Sequence, residues 1–147
     1  MSVQPDRLSD GYEPNFDLDR EIGRQGELFV SHIAESLTRG LAEVKYEPSA
    51  SKYGNVYLEY ACRRNGVYQP SGIDETGSDV WAWTLGRHRP QIMVAAPVPL
   101  VRGVKDRALR EGQIRNTIRG SHPTNGAIVS LRDLLRWLLN EADGVAA

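Results

Sequence analysis

Polar and apolar residues alternate most clearly over residues 43–47, EVKYE, where a strand puts Glu43, Lys45 and Glu47 on one face and Val44 and Tyr46 on the other. A second period-two run, residues 56–62, sets Val56, Leu58, Tyr60 and Cys62 against Tyr57, Glu59 and Ala61. Pro48, Ser49, Ser51, Gly54 and Asn55 separate the runs as a polar turn. Pairing of the two strands would bring Glu47 and Glu59 together. Upstream, Ile22, Phe29, Ile33 and Leu37 recur at helical spacing and predict a helix over 18–37, capped by Asp17 or Asp19 and stopped by Gly40. Gly23 and Gly26 each cost that helix roughly 1 kcal/mol relative to Ala, which implies close approach of a neighbour. Glu27 borders the helix's apolar stripe, where a carboxylate either meets solvent or faces a cleft.

Downstream, Asn65-Gly66 signals a tight turn. Residues 79–85 alternate, with Trp81 and Trp83 on one face, and residues 91–95 form a short apolar strand that Pro97 and Pro99 terminate. Residues 104–115 are weakly helical and interrupted by Gly112. A short strand at 127–129 leads into a last helix opened by Ser130, with Asp133 three residues on in a capping-box arrangement. Its apolar stripe is Leu131, Leu134, Leu135 and Leu138, widened by Trp137 and Leu139. The order of helix, four strands, basic helical segment, strand and helix predicts an α/β fold. Residues 1–16, with Pro5, Gly11 and Pro14, read as a flexible arm before a single domain over 17–147.

Composition narrows the chemistry. A single cysteine, Cys62, excludes an internal disulfide and cysteine-rich zinc sites; on the apolar face of its strand it is expected to be a small core residue. His32, His88 and His122 show no zinc spacing, and Ser71 in PSGID lacks the elbow of a serine hydrolase. No apolar run approaches the roughly 18 residues of a membrane span, and the first residues lack the pattern of a signal peptide, so a cytoplasmic protein of a prokaryotic or phage-infected cell is expected. The net charge of −1 hides an asymmetry: residues 1–27 carry seven acids against three arginines. Residues 102–119 carry Arg102, Lys105, Arg107, Arg110, Arg115 and Arg119 against two acids. That basic segment suits contacts to DNA phosphates around a carboxylate site; the alternative is a solvated surface.

Three carboxylates from separate elements, Glu27, Glu47 and Glu59, would converge if the first helix packs across the strands. Magnesium takes only a few protein oxygens and completes its shell with water and phosphate, so two or three acids suffice. Such an ion polarises a phosphodiester and activates a bound water, and Lys45, on the face of Glu47, could orient that water or stabilise developing charge.

These residues carry a resemblance. Glu27 in GRQGE, EVKYE at 43–47, GNVYLEY at 54–60 and the segment with Ser71, Gly72, Ile73, Thr76, Asp79 and Trp81 resemble the PD-(D/E)xK nuclease superfamily, in particular its small phage and prokaryotic members related to Holliday junction resolvases. The likeness covers about residues 17–85, and beyond them only the order of elements agrees. It implies a restriction-endonuclease-like mixed central sheet flanked by helices, and a metal-dependent endonuclease acting on branched or phage DNA, using Mg2+ or Mn2+ and working as a homodimer. Glu27, Glu47 and Glu59 would be the metal ligands, with Lys45 the assisting cation. Two positions depart from the pattern. Glu47 stands where aspartate is usual, and Ala61 stands two after Glu59, where the superfamily places lysine. The alternative is a degenerate site that binds DNA or a protein without cutting.

Overall fold

The computed structural model describes residues 14–117 and 122–146; residues 1–13 of the expected arm and Arg119 of the basic segment lie outside the described residues. Backbone contacts divide the chain into two compact units, Met1–Glu35 and Ser36–Ala147. Helix α1 (Pro14–Thr38) begins four residues before the expected start at 18. It ends as expected at Gly40, whose φ of +71° is the left-handed conformation of a helix terminator, with the Leu41 N–H donating to the Ser36 carbonyl at 2.8 Å. In the first unit the expected apolar stripe is only partly covered: Ile33 is buried, whereas Ile22 and Phe29 are exposed. A Cβ at Gly23 or Gly26 would meet nothing within 4 Å, so neither glycine marks the close approach inferred from its cost.

The strands form two sheets. In the first, β1 (Ala42–Glu47) pairs parallel with β4 (Val80–Leu85), and β4 pairs antiparallel with β5 (Ile92–Pro97). In the second, β2 (Asn55–Arg64) is flanked by β3 (Val67–Pro70) on one side and β7 (Thr124–Ser130) on the other, with β6 (Ile114–Thr117) beyond β7, all antiparallel. The expected pairing of the two strands at 43–47 and 56–62 is therefore not made. The intervening residues form a helical turn, α2 (Ala50–Tyr53), closed by Gly54 at φ +66°. That turn carries β2 out of the plane of β1 instead of folding it back as a hairpin. Asn65 and Gly66, both at positive φ (52° and 80°), do make the tight turn their dipeptide signals, leading into β3. All four residues of β3 are exposed, so no apolar period announced it.

Helix α3 (Val98–Arg110) lies earlier than the helical pattern at 104–115. Pro99 fits its first turn, where no N–H is needed, and Gly112 at φ +72° stops it. The residues that follow become β6 because they pair with the edge of β7. In α4 (Leu131–Ala146), the Asp133 N–H donates to Ser130 Oγ at 3.0 Å, the expected cap, while the Asp133 carboxylate pairs with Arg136. Leu134, Trp137 and Leu138 are buried and Leu131 packs beside them; Leu135 and Leu139 are exposed, a narrower stripe than the sequence suggests.

One core joins both sheets to both long helices of the second unit. Trp81 and Trp83 from β4, Val56 and Leu58 from β2, Val101 and Val104 from α3, and Leu134 and Trp137 from α4 belong to it. Trp81 and Trp83, at 1% and 0% exposure, are core residues and present no ring surface to a ligand. The fold is thus mixed α/β, with two sheets and four α-helices among the described residues. No described helix is long and apolar enough to cross a membrane.

Candidate carboxylate site between the two sheets

The parallel register aligns Glu43 with Trp81, Lys45 with Trp83 and Glu47 with Leu85, so the charged face of β1 is the face on which β4 buries its core side chains. The polarity is inverted relative to a solvated edge strand: the three charges are half-buried, whereas Val44 and Tyr46 are 50% and 43% exposed. Charges are kept in such a position only where they find partners. The Lys45 ammonium meets the Glu43 carboxylate at 2.5 Å and lies 5.3 Å from the centre of the Trp81 ring. The Glu47 carboxylate lies near the backbone N–H of Tyr57 on β2, which favours its charged form. Burial pushes the Glu47 pKa above its ordinary value, and the Tyr57 N–H and the Lys45 charge offset this only in part.

Glu59 projects from β2 and is held by a different element. Ser71, 3% exposed, donates its hydroxyl to Glu59 Oε1 at 2.6 Å, and its N–H donates to the Tyr60 carbonyl at 3.0 Å. Gly72 follows at φ +53°, with its missing Cβ directed at the Glu59 carbonyl, so only glycine fits. The 3₁₀ turn Gly72–Asp74 then buries Ile73 completely.

This loop is pinned by α3. Arg102 donates to the carbonyls of Ile73 at 3.0 Å and Thr76 at 3.1 Å, and Lys105, 8% exposed, pairs with Asp74 at 2.8 Å and Asp106 at 2.7 Å. Arg102 and Lys105, expected from charge to meet DNA phosphates, thus serve the fold instead. Burial alone would lower the Lys105 pKa, but its hydrogen bonds and charge contacts with Asp106 and Asp74 outweigh this and raise it. A lysine whose folded pKa lies above its unfolded value contributes its full stability at any pH below about 10.4 and loses it only as pH rises through the folded pKa. Lys105→Met should therefore cost a constant amount across neutral pH. About 2 kcal/mol is expected, less than for a fully buried pair because the Asp74 and Asp106 side chains remain 30% and 55% exposed. Urea denaturation at two neutral pH values measures it.

Between Glu59 and Ala61 the ladder to β7 slips: Glu59 sits opposite Gly126 and Ala61 opposite Asn125, a bulge that leaves Tyr60 as the extra residue. Directly opposed residues share a face, and Asn125 and Gly126 face opposite ways, so Glu59 and Ala61 do too. The simple alternation read from residues 56–62 breaks here. A lysine at position 61 would project from the wrong side of the sheet to reach Glu59. The same slip puts Cys62, opposite Thr124, on the Glu59 face; it is buried as expected, yet outside the main core.

Arg115 stands opposite Gly126 on β6, so Glu59, Gly126 and Arg115 form one row across the sheet, on one face. The Tyr57 ring covers Gly126, and its hydroxyl meets Thr124 Oγ1 at 2.9 Å. Of the remaining expected cations, Arg107 stacks on Trp137 at 4.9 Å, and Arg110 and Arg115 are exposed. A depression of about 370 Å³ lined by Asn55, Arg115, Ile128 and Asp133 opens beside β6, away from Glu47 and Glu59.

Glu27 is exposed on α1 in the first unit. His32, His88 and His122 are exposed. Among the described residues no three His, Cys, Asp or Glu side chains group as a metal cage. Glu47 and Glu59 offer only carboxylate oxygens, a donor set that suits magnesium or manganese with a largely watery shell and not zinc. Desolvation of Glu47 adds to the fit, because a carboxylate strained by burial gains most from a cation. The support of Glu59 by Ser71, and of that loop by Arg102 and Lys105, was not read from the sequence; its only trace there is the serine-glycine pair twelve residues after Glu59. No family model, curated protein or solved structure matches the chain, so its chemistry has to be read from its own residues.

Proposed function

We propose that the second unit is a magnesium- or manganese-dependent DNA endonuclease of the PD-(D/E)xK type, with a divergent restriction-endonuclease-like fold. One observation carries the reading: although β1 and β2 belong to different sheets, the Glu47 carboxylate lies near the backbone N–H of Tyr57 on β2, two residues along the strand from Glu59. Glu47 and Glu59 would hold the ion, which supplies a polarised phosphoryl oxygen and an activated water. Glu59 keeps one oxygen committed to Ser71, which fixes its rotamer. Lys45, beside Glu47, supplies positive charge for the attacked phosphate in place of the lysine absent at position 61. Arg110 and Arg115 contact flanking phosphates, which position the duplex without reading its sequence. Two such sites in a two-fold dimer would cut both strands. Every residue this centre needs lies in the second unit.

A second reading, a nuclease fold that binds DNA without cutting, is favoured by the bulge that turns Ala61 away from Glu59 and by the engagement of Lys45 with Glu43. Incubation with plasmid, linear and four-way-junction DNA in magnesium, manganese or EDTA separates the two. Metal-dependent cleavage that Glu59→Gln abolishes supports the enzyme. Binding without cleavage in every condition rules it out and leaves the binder.

A further inference from the structure

We infer that the turn between β4 and β5 is a second, separate contact for the nucleic-acid backbone, with Arg87 and Arg89 as its phosphate ligands and Lys52, on the turn that leaves the sheet at the same end, as a further cation. This rests on the proposal that DNA is the substrate. It adds a surface that the basic segment at 102–119 does not contain.

Three observations carry it. The first is position. Glu47 ends β1 opposite Leu85, the last residue of β4, in a parallel pair. The turn that follows Leu85 and the α2 turn that follows Glu47 therefore leave the sheet at the same end, on either side of the candidate carboxylate. The second is charge without internal use. Arg87, His88 and Arg89 are all exposed, and among the described residues neither arginine has a carboxylate partner, in contrast with Arg102 and Lys105, which are spent inside the fold. Lys52 is also exposed, its ammonium 4.9 Å from the centre of the ring of Tyr53, itself 62% exposed.

The third is rigidity. The Tyr46 hydroxyl donates to the Gly86 carbonyl at 2.8 Å, and the Gln91 N–H closes the turn on the Leu85 carbonyl at 2.9 Å. Gly86 sits at φ +151°, and a Cβ there would run into the Arg89 carbonyl, so the turn can form this tightly only with glycine. A fixed turn presents its cations with little ordering cost on binding. Exposed, unpaired arginines on such a turn, with an exposed lysine and aromatic ring on the turn at the same end of the sheet, have the chemistry of a phosphate-backbone contact.

The test measures binding, not cleavage. A fluorescent duplex of about 30 base pairs is titrated in EDTA at several salt concentrations with wild type, Arg87→Ala/Arg89→Ala and Arg110→Ala/Arg115→Ala. Each lost phosphate contact lowers the magnitude of the slope of log K against log salt by about 0.9. The Arg87/Arg89 variant is expected to lose about 1.8 of slope and bind more weakly, with an unchanged melting temperature because both residues are exposed. Unchanged affinity and slope in that variant overturn the inference, as does a wild type that binds no duplex at the lowest salt. A wild type that binds through Arg87 and Arg89 but never cuts in magnesium sustains the contact and refutes the nuclease.

Discussion

Glu47→Gln is expected to raise the thermal unfolding midpoint of the metal-free protein while lowering metal-dependent cleavage by at least about 10²-fold, the scale on which loss of one electrostatic element of a reaction centre is felt. The stability gain has a definite cause. Burial holds the Glu47 pKa above its unfolded value, so the charged form weakens the fold at neutral pH, and the neutral amide removes that penalty while its size is nearly unchanged. The sign in pH is fixed by the same shift. As pH falls through the folded pKa and then the unfolded one, the carboxyl takes up its proton earlier in the native state, so its contribution to stability improves toward acid. The advantage of Glu47→Gln should therefore be largest near neutral pH and fade as pH falls toward about 4. Added magnesium should raise the midpoint of wild type more than that of the variant, because a ligand stabilises only the state that binds it. Calorimetry from about pH 4 to 8, with EDTA or magnesium, reads all three effects. A Gln variant less stable than wild type at every pH would make Glu47 a structural acceptor for the Tyr57 N–H and nothing more.

Gly72→Ala should be among the most damaging of the small substitutions in the second unit, at about 3 kcal/mol. An L-residue pays roughly 1–2 kcal/mol for the left-handed backbone, and its Cβ meets a main-chain oxygen, that of Glu59, which cannot step aside. The consequence passes beyond stability. If the loop lifts, Ser71 loses Glu59, and cleavage should fall even at temperatures where the protein remains folded. Gly77→Ala is the control, since a Cβ there meets nothing within 4 Å and its φ is not positive. A loss of less than about 1 kcal/mol for Gly72→Ala would show that the 71–76 loop moves freely, and would remove Ser71 from the positioning of Glu59.

The elements that local chemistry governs were legible in the chain. The left-handed stop at Gly40, the turn at Asn65-Gly66 and the cap by Ser130 each depend on one or two residues and their immediate neighbours. The alternation in β1 likewise placed Glu43, Lys45 and Glu47 together, because a strand repeats every two residues wherever it lies. Elements without such a signal were missed or displaced. Strand β3 has no buried face, and Ile114 and Arg115 read as the tail of a helix, whereas an open strand edge claims them and the two residues that follow.

The candidate site divides in the same way. From the residues alone came the set of acids, the charged face of β1, and the presence of alanine where a lysine is expected at position 61. Only the tertiary structure decided that β1 pairs with β4 and turns its charges inward, and that the Tyr60 bulge carries Ala61 away from Glu59. It alone decided that Ser71 holds Glu59 while Arg102 and Lys105 hold the loop beneath it. The physical reason is range: periodicity, turn chemistry and capping are settled within a few residues, but which face is buried, which register wins and which charges meet are settled by strands and helices distant in sequence competing for the same core.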